Sequence, residues 1–149
     1  MNENLQIPIK SSNYVVARLR DGKMIKGITY NFGPRKRSIN VITFDEDEEW
    51  EGGKSVEVFF SDLKAVFFVK SLQGSGHPEL PNEVLQEKWD TARATKVKVT
   101  FFDGETITGT TPGYTPDRVG FFVLPLNEDS NNIRVFVVLD SVENIEIWR

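Results

Sequence analysis

An all-β fold built from two five-stranded repeats is what this sequence predicts, and three observations carry the prediction. Apolar and polar residues alternate over short runs, as in Val15, Ala17 and Leu19, which is the period of a half-buried strand. Asp-Gly pairs close two of those runs, Asp21-Gly22 and Asp103-Gly104. Such pairs signal hairpins, because glycine supplies the positive φ of a tight primed turn. Above all, the chain repeats itself. Val15, Ala17, Leu19 and Ile25 recur 82 positions later as Val97, Val99, Phe101 and Ile107, with Gly27 matching Gly109 and Phe32 matching Tyr114. Further on, Val56, Val58 and Phe60 align with Ile133, Val135 and Val137, and Ala65 and Phe68 with Val142 and Ile145, at an offset of 77. The difference, 82 less 77, puts five extra residues in the first copy. They fall in the acidic loop around Asp45–Lys54, a place where insertions are tolerated.

The first copy reads in order. Strand one covers Val15 to Leu19 and turns at Asp21-Gly22; strand two runs over about 23–32. Gly27 inside it marks a bulge or sharp bend of the kind that closes a small barrel. Strand three covers about 38–44 and strand four about 55–60; the turn Ser61–Lys64 then leads to strand five at about 65–70. The second copy gives strands at about 96–102, 105–114, 119–124, 133–138 and 143–148. The units are therefore 13–72 and 95–149, with a connector at 73–94. About 60 residues is marginal for a separate core, so the two copies are expected to pack about a pseudo-twofold axis. The connector opens with Gln73-Gly74-Ser75-Gly76-His77-Pro78, a loop composition. Residues 81–90 predict a short helix capped by Asn82, with Val84, Leu85, Lys88 and Trp89 on one face, plugging one end of a barrel.

Five short strands, a bend in the second and a tight turn before the fifth describe an SH3-like or Sm-like barrel. Three segments carry a resemblance to a family: Asp62–Lys70, Thr100–Glu105, and Gly120-Phe121-Phe122 through Pro125 to Asn131–Val137. On these the chain, from Val15 to Ile147, resembles an uncharacterised bacterial domain family with a tandem Asp-Gly hairpin repeat. The resemblance implies a domain that stands alone or is attached to signalling and regulatory proteins, and it implies no activity. The first strand pair is also similar to the Sm-like barrels of RNA-binding proteins, at the level of barrel pattern only.

Composition narrows the function. The 149 residues include no cysteine and one histidine, His77. Thiolate metal sites and cysteine catalysis are therefore excluded, as is any multi-histidine metal centre. No phosphate loop or nucleophile elbow is present. The Arg and Asp-x-Ser spacings of a PilZ-type cyclic-di-GMP receptor are missing as well. Neither a signal peptide nor an apolar run of transmembrane length occurs, so a cytoplasmic protein without a membrane role is the expectation. The net charge is −4, with no global pull toward nucleic acid. Residues 1–75 hold 11 Lys and Arg against 10 Asp and Glu, whereas residues 76–149 hold 7 against 12.

Two surfaces stand out as candidates. Tyr114, Pro116 and Arg118, together with Asn131, Asn132 and Arg134, flank strand 119–124. Arg118 is suited to bidentate pairing with a carboxylate or phosphate, and the asparagines to hydrogen bonding a polar ligand or a peptide backbone. The bland alternative is loop geometry and core packing. The second surface is Arg35-Lys36-Arg37 after Pro34, beside Tyr30 and Phe32. There cations would hold a phosphate backbone while a ring stacks on a base; the alternative is a solvated loop. The acidic loop 45–51 around Trp50 lacks an EF-hand's glycine and glutamate positions, and His77 reads as a surface loop residue. The leading expectation is a non-enzymatic module that binds a protein partner in bacterial regulation or signalling, without metal or cofactor. The alternatives are a single-stranded RNA-binding Sm-like protein and a small-ligand or nucleotide sensor. A homo-oligomer formed through strand edges is compatible with each, unless two fused copies satisfy those edges internally.

Overall fold

The computed structural model describes residues 14–33, 35–43, 54–72, 80–116 and 118–148. Ten strands and one helix follow in order: β1 (Tyr14–Leu19), β2 (Met24–Thr29), β3 (Ser38–Thr43), β4 (Lys54–Phe59), β5 (Leu63–Val69), α1 (Asn82–Thr91), β6 (Thr95–Phe101), β7 (Thr106–Thr111), β8 (Gly120–Val123), β9 (Asn132–Val138) and β10 (Val142–Trp148). Single 3-10 turns at Phe60–Asp62 and Leu139–Ser141 precede β5 and β10. All pairings are antiparallel. One sheet has seven strands in the order β4-β3-β2-β1-β5-β9-β8, and the other has three in the order β10-β6-β7. A bridge between Thr110 and Leu124 ties β7 to the end of β8.

The Asp-Gly hairpins form, with a different turn from the one expected. Gly22 donates to the Leu19 carbonyl (3.1 Å) and Leu19 to the Lys23 carbonyl (2.8 Å). Gly104 and Phe101 repeat this with Phe101 and Glu105, at 2.9 and 2.8 Å. Gly22 and Gly104 have φ of +94° and +88°, and among the described residues no other residue type has positive φ. These are three-residue loops with glycine in the left-handed position, rather than primed two-residue turns. The mid-strand glycines answer to close approach. A Cβ on Gly27 would strike the carbonyl oxygen of Ile42, and one on Gly109 that of Leu124.

Register corrects the spacing read from sequence. Phe68 lies opposite Val15 and Ile147 opposite Val97. Val58 lies opposite Ile39 and Val137 opposite Phe121. The later offset is thus 79 rather than 77, and the loop after β3 is longer by three residues (82 less 79) rather than five. Both β1–β5 and β6–β10 carry a bulge at the matching place, where Lys64 and Glu143 are the extra residues.

The expected closed barrels are not formed among the described residues. β5 does not return to β4; it continues the sheet into β9, with Ala65 opposite Val137 and Phe67 opposite Val135. The reason lies in β5's composition. Leu63-Lys64-Ala65-Val66-Phe67-Phe68-Val69 is apolar nearly throughout, the pattern of a strand buried on both faces. Val66 and Phe68 enter a first core with Val15, Ala17, Ile39, Val41, Val58, Phe60, Phe136 and Val138. Ala65 and Phe67 face a second core with Val97, Val99, Phe101, Phe121, Val123, Val135 and Val137. β5 and β9 are therefore a wall shared by the two cores.

The connector helix forms but plugs nothing. Its residues Asn82, Glu83, Gln86, Glu87 and Asp90 are polar, and none of the ten is fully buried. Pro81 rather than Asn82 occupies the cap position. The helix rests on the outer face of the three-stranded sheet, where Trp89 meets Trp148 edge-on at 5.1 Å and the Lys96 ammonium lies 5.4 Å from the Trp89 ring.

Candidate binding surface

Five phenylalanines gather at one end of the first core. Phe32 stands 5.1 Å from Phe68, 5.7 Å from Phe122, 5.0 Å from Phe136 and 6.1 Å from Phe60. β9 places Arg134 directly opposite Phe68, and its guanidinium carbon lies 4.4 Å from the Phe68 ring centre and 4.5 Å from that of Phe122. Burial lowers the Arg134 pKa from its ordinary value. Among the described residues no carboxylate lies within ion-pair distance of it. Two ring faces hold the cation by about 0.5–2 kcal/mol each, and the stack pre-orients its fork of N–H donors. Such a group binds a carboxylate or phosphate bidentately.

The neighbouring residues divide by role. Asn131 is committed to the scaffold: its side chain accepts from the Ser71 N–H (3.1 Å) and donates to the Ser71 carbonyl (2.9 Å). Asn132 is half-buried, and its N–H donates to the Ser130 hydroxyl at 3.1 Å. Tyr114 packs on the second core, edge-on to Phe121 at 5.3 Å. Pro116 and Arg118 are exposed, and Asp117 lies outside the described residues. Gly120 is opposite Val138, four residues along β9 from Arg134, or about 13 Å at ~3.3 Å per residue. Arg118 precedes Gly120, so the two arginines belong to opposite ends of the sheet.

In the basic loop Arg35, Lys36 and Arg37 are all exposed, and Pro34 lies outside the described residues. The loop is held by Lys36 N–H to the Gly33 carbonyl (3.1 Å) and by Phe60 N–H to the Arg37 carbonyl (2.9 Å). Tyr30 is 47% exposed; partial burial, with Tyr14 nearby, raises the pKa of its hydroxyl. Phe32 is half-buried in the aromatic cluster, so Tyr30 is the open ring of the pair. Phe32, just before the basic loop, packs on Phe68 and Phe122, the two rings that Arg134 stacks on. The acidic loop 45–51 and His77 lie outside the described residues.

Sequence reasoning missed one charged cluster. Lys64 is 5% exposed, and its ammonium bonds Asp103 at 2.7 Å, approaches Glu105 at 3.4 Å and lies 4.8 Å from the Phe101 ring. Arg18 reaches the same Glu105 at 3.4 Å. The signal was a lone lysine inside an apolar run. Because all its members satisfy one another, this cluster joins the sheets rather than offering a site.

These features define a mainly β protein whose described residues form two antiparallel sheets and one short helix, and no described helix is long and apolar enough to cross a membrane. The model of a family of unknown function (DUF6982) matches residues 11–148, and the chain belongs to that family. No curated protein and no solved structure matches it.

Proposed function

We propose that the chain is a non-enzymatic interaction module of the bacterial cytoplasm, in which two five-stranded SH3- or Sm-like units are fused and a protein partner is bound through Arg134. The architectural part is supported by the shared register and bulge of β1–β5 and β6–β10. The functional part rests on one observation, a partly buried guanidinium stacked on Phe68 and Phe122 with no carboxylate partner among the described residues. A carboxylate of the partner completes that site. Affinity capture from lysate with and without nuclease, using wild type and Arg134→Gln, tests this. A nuclease-resistant protein lost in the variant supports the reading; equal capture by both proteins refutes it.

A second reading, single-stranded RNA binding, draws on the exposed Arg35-Lys36-Arg37 loop beside Tyr30. It requires affinity for an oligoribonucleotide that falls steeply with salt. No binding at low salt removes it.

A further inference from the structure

β4 is the outermost strand of the seven-stranded sheet, and among the described residues only β3 pairs with it. Its counterpart is β9: Val56 and Val58 pair with Val41 and Ile39 as Val135 and Val137 pair with Val123 and Phe121. On β9 the opposite edge is taken by β5, an antiparallel apolar strand. The molecule thus displays, within itself, the kind of strand that this edge accepts. On β4 no described residue takes the same edge. Phe59 is 46% exposed, whereas its counterpart Val138 is 1% exposed.

Beside β4 lies a cleft of about 410 Å³ floored by Leu19, Ile25, Val58 and Phe59. Among the described residues its charged lining is unbalanced: Asp21, Glu57 and Asp62 stand against Arg20 alone, and Arg20 leans over the Phe102 ring at 5.6 Å. Glu57 accepts a hydrogen bond from the Ser38 hydroxyl (3.1 Å), which fixes it without neutralising it. Lys23, at 4.0 Å, is exposed and offsets only Asp21.

We propose that the β4 edge binds an extended, antiparallel segment of a partner protein, with apolar residues at alternate positions and Lys or Arg between them. Backbone hydrogen bonds supply affinity, and the cleft over Leu19, Ile25 and Val58 takes an apolar side chain from the core-facing row. On the outer row Glu57, with Asp62, selects the cations, whose alkyl stems cover Phe59. A second copy of this chain is the wrong occupant. The strand corresponding to β5 is β10, which carries Glu143, Asn144 and Glu146 where β5 has Lys64, Ala65 and Phe67. Two carboxylates would meet an acidic rim, and Trp148 is already engaged by Trp89. The surface is independent of Arg134. It adjoins Leu19, four residues along β1 from Val15, which lies in the same row as Phe68 and Arg134.

The test uses the full chain and two dye-labelled peptides, Lys-Val-Lys-Phe-Lys-Val-Lys and the same peptide with Glu for Lys. The Lys peptide is expected to bind by fluorescence anisotropy below about 1 mM and to slow amide exchange in residues 54–60. Its affinity should fall at least about tenfold in Glu57→Lys/Asp62→Lys and in Phe59→Ser, while Arg134→Gln is unaffected. The charge variant keeps the test decisive should Phe59→Ser fold poorly. Equal binding of the Glu peptide, no binding of either, protection outside β4, or unchanged affinity in the charge variant would overturn the proposal. So would dimers in light scattering that protect residues 54–60 without peptide.

Discussion

Lys64 shows how one backbone irregularity redirects a side chain. It is the extra residue of the β5 bulge, and bulges re-aim what they carry. Its ammonium leaves the apolar run and meets Asp103 across the sheet junction. The hydrogen bond from Lys64, then that from the Glu105 N–H, holds the Asp103 carboxyl below its ordinary value. A carboxylate depressed in the folded state contributes stability that is full above its unfolded pKa, near 4, and is lost as pH falls through the folded value. The expected outcome is that wild type loses more of its melting temperature between about pH 4 and about pH 2 than Lys64→Met does. At neutral pH, Lys64→Met should be neutral or stabilising, because an apolar chain replaces a buried charge, while Asp103→Asn should lower the melting point by weakening the ammonium's best contact. Thermal denaturation followed by circular dichroism across pH checks all three.

At the scale of elements, the strands were legible because alternation and turn residues are local signals; each observed strand lies within a few residues of its expected span. The hairpin turn type was not, because Asp-Gly serves both primed two-residue turns and three-residue loops with a left-handed glycine. The second-half offset was misread for a different reason. β5 is apolar on both faces, so its pattern does not specify which residue faces which core, and a shift of two preserves every alternation. Helix α1 marks the opposite limit, an element whose place depends on a few contacts. It is anchored chiefly by Trp89 against Trp148 and Lys96. Trp89→Ala should speed amide exchange in residues 82–91 by about tenfold or more, a loss of roughly 1.4 kcal/mol of local stability. The global unfolding midpoint should barely move, because no helix residue belongs to either core. Exchange mass spectrometry alongside urea denaturation separates the two effects.

Across the whole molecule, neither half owns its core. The first core takes Phe136 and Val138 from β9, and the second takes Ala65 from β5 with Phe67 packed against it. Cutting between β5 and α1 would strip the β5–β9 ladder and expose both strands' inner faces. The intact chain is expected to unfold in a single cooperative transition. Residues 1–78 alone should show no cooperative transition and should bind a hydrophobic dye, as a small unit deprived of part of its core. Urea titration of both proteins decides it; a separate, reversible transition in the fragment would show that the halves fold independently. Among the described residues the same sharing leaves β4 and β10 at the outer edges, where Glu57 and Glu146 occur, like charges that oppose the pairing of one copy's β10 with another's β4.

By itself the sequence determined the strand inventory, the two glycine-closed hairpins, the connector helix and the absence of thiol chemistry, because each follows from residues close together in the chain. It also singled out the basic loop as cations beside aromatics and placed Arg134 in a candidate binding segment. Only the tertiary structure decided that β5 joins β9 instead of closing a barrel, that Phe32 serves a core while Tyr30 stays open, and that Arg134 is stacked and partly buried while Arg118 lies at the far end of the sheet. Those outcomes depend on pairing between residues some 70 positions apart, and a periodic pattern reports which face is apolar without naming the partner that covers it.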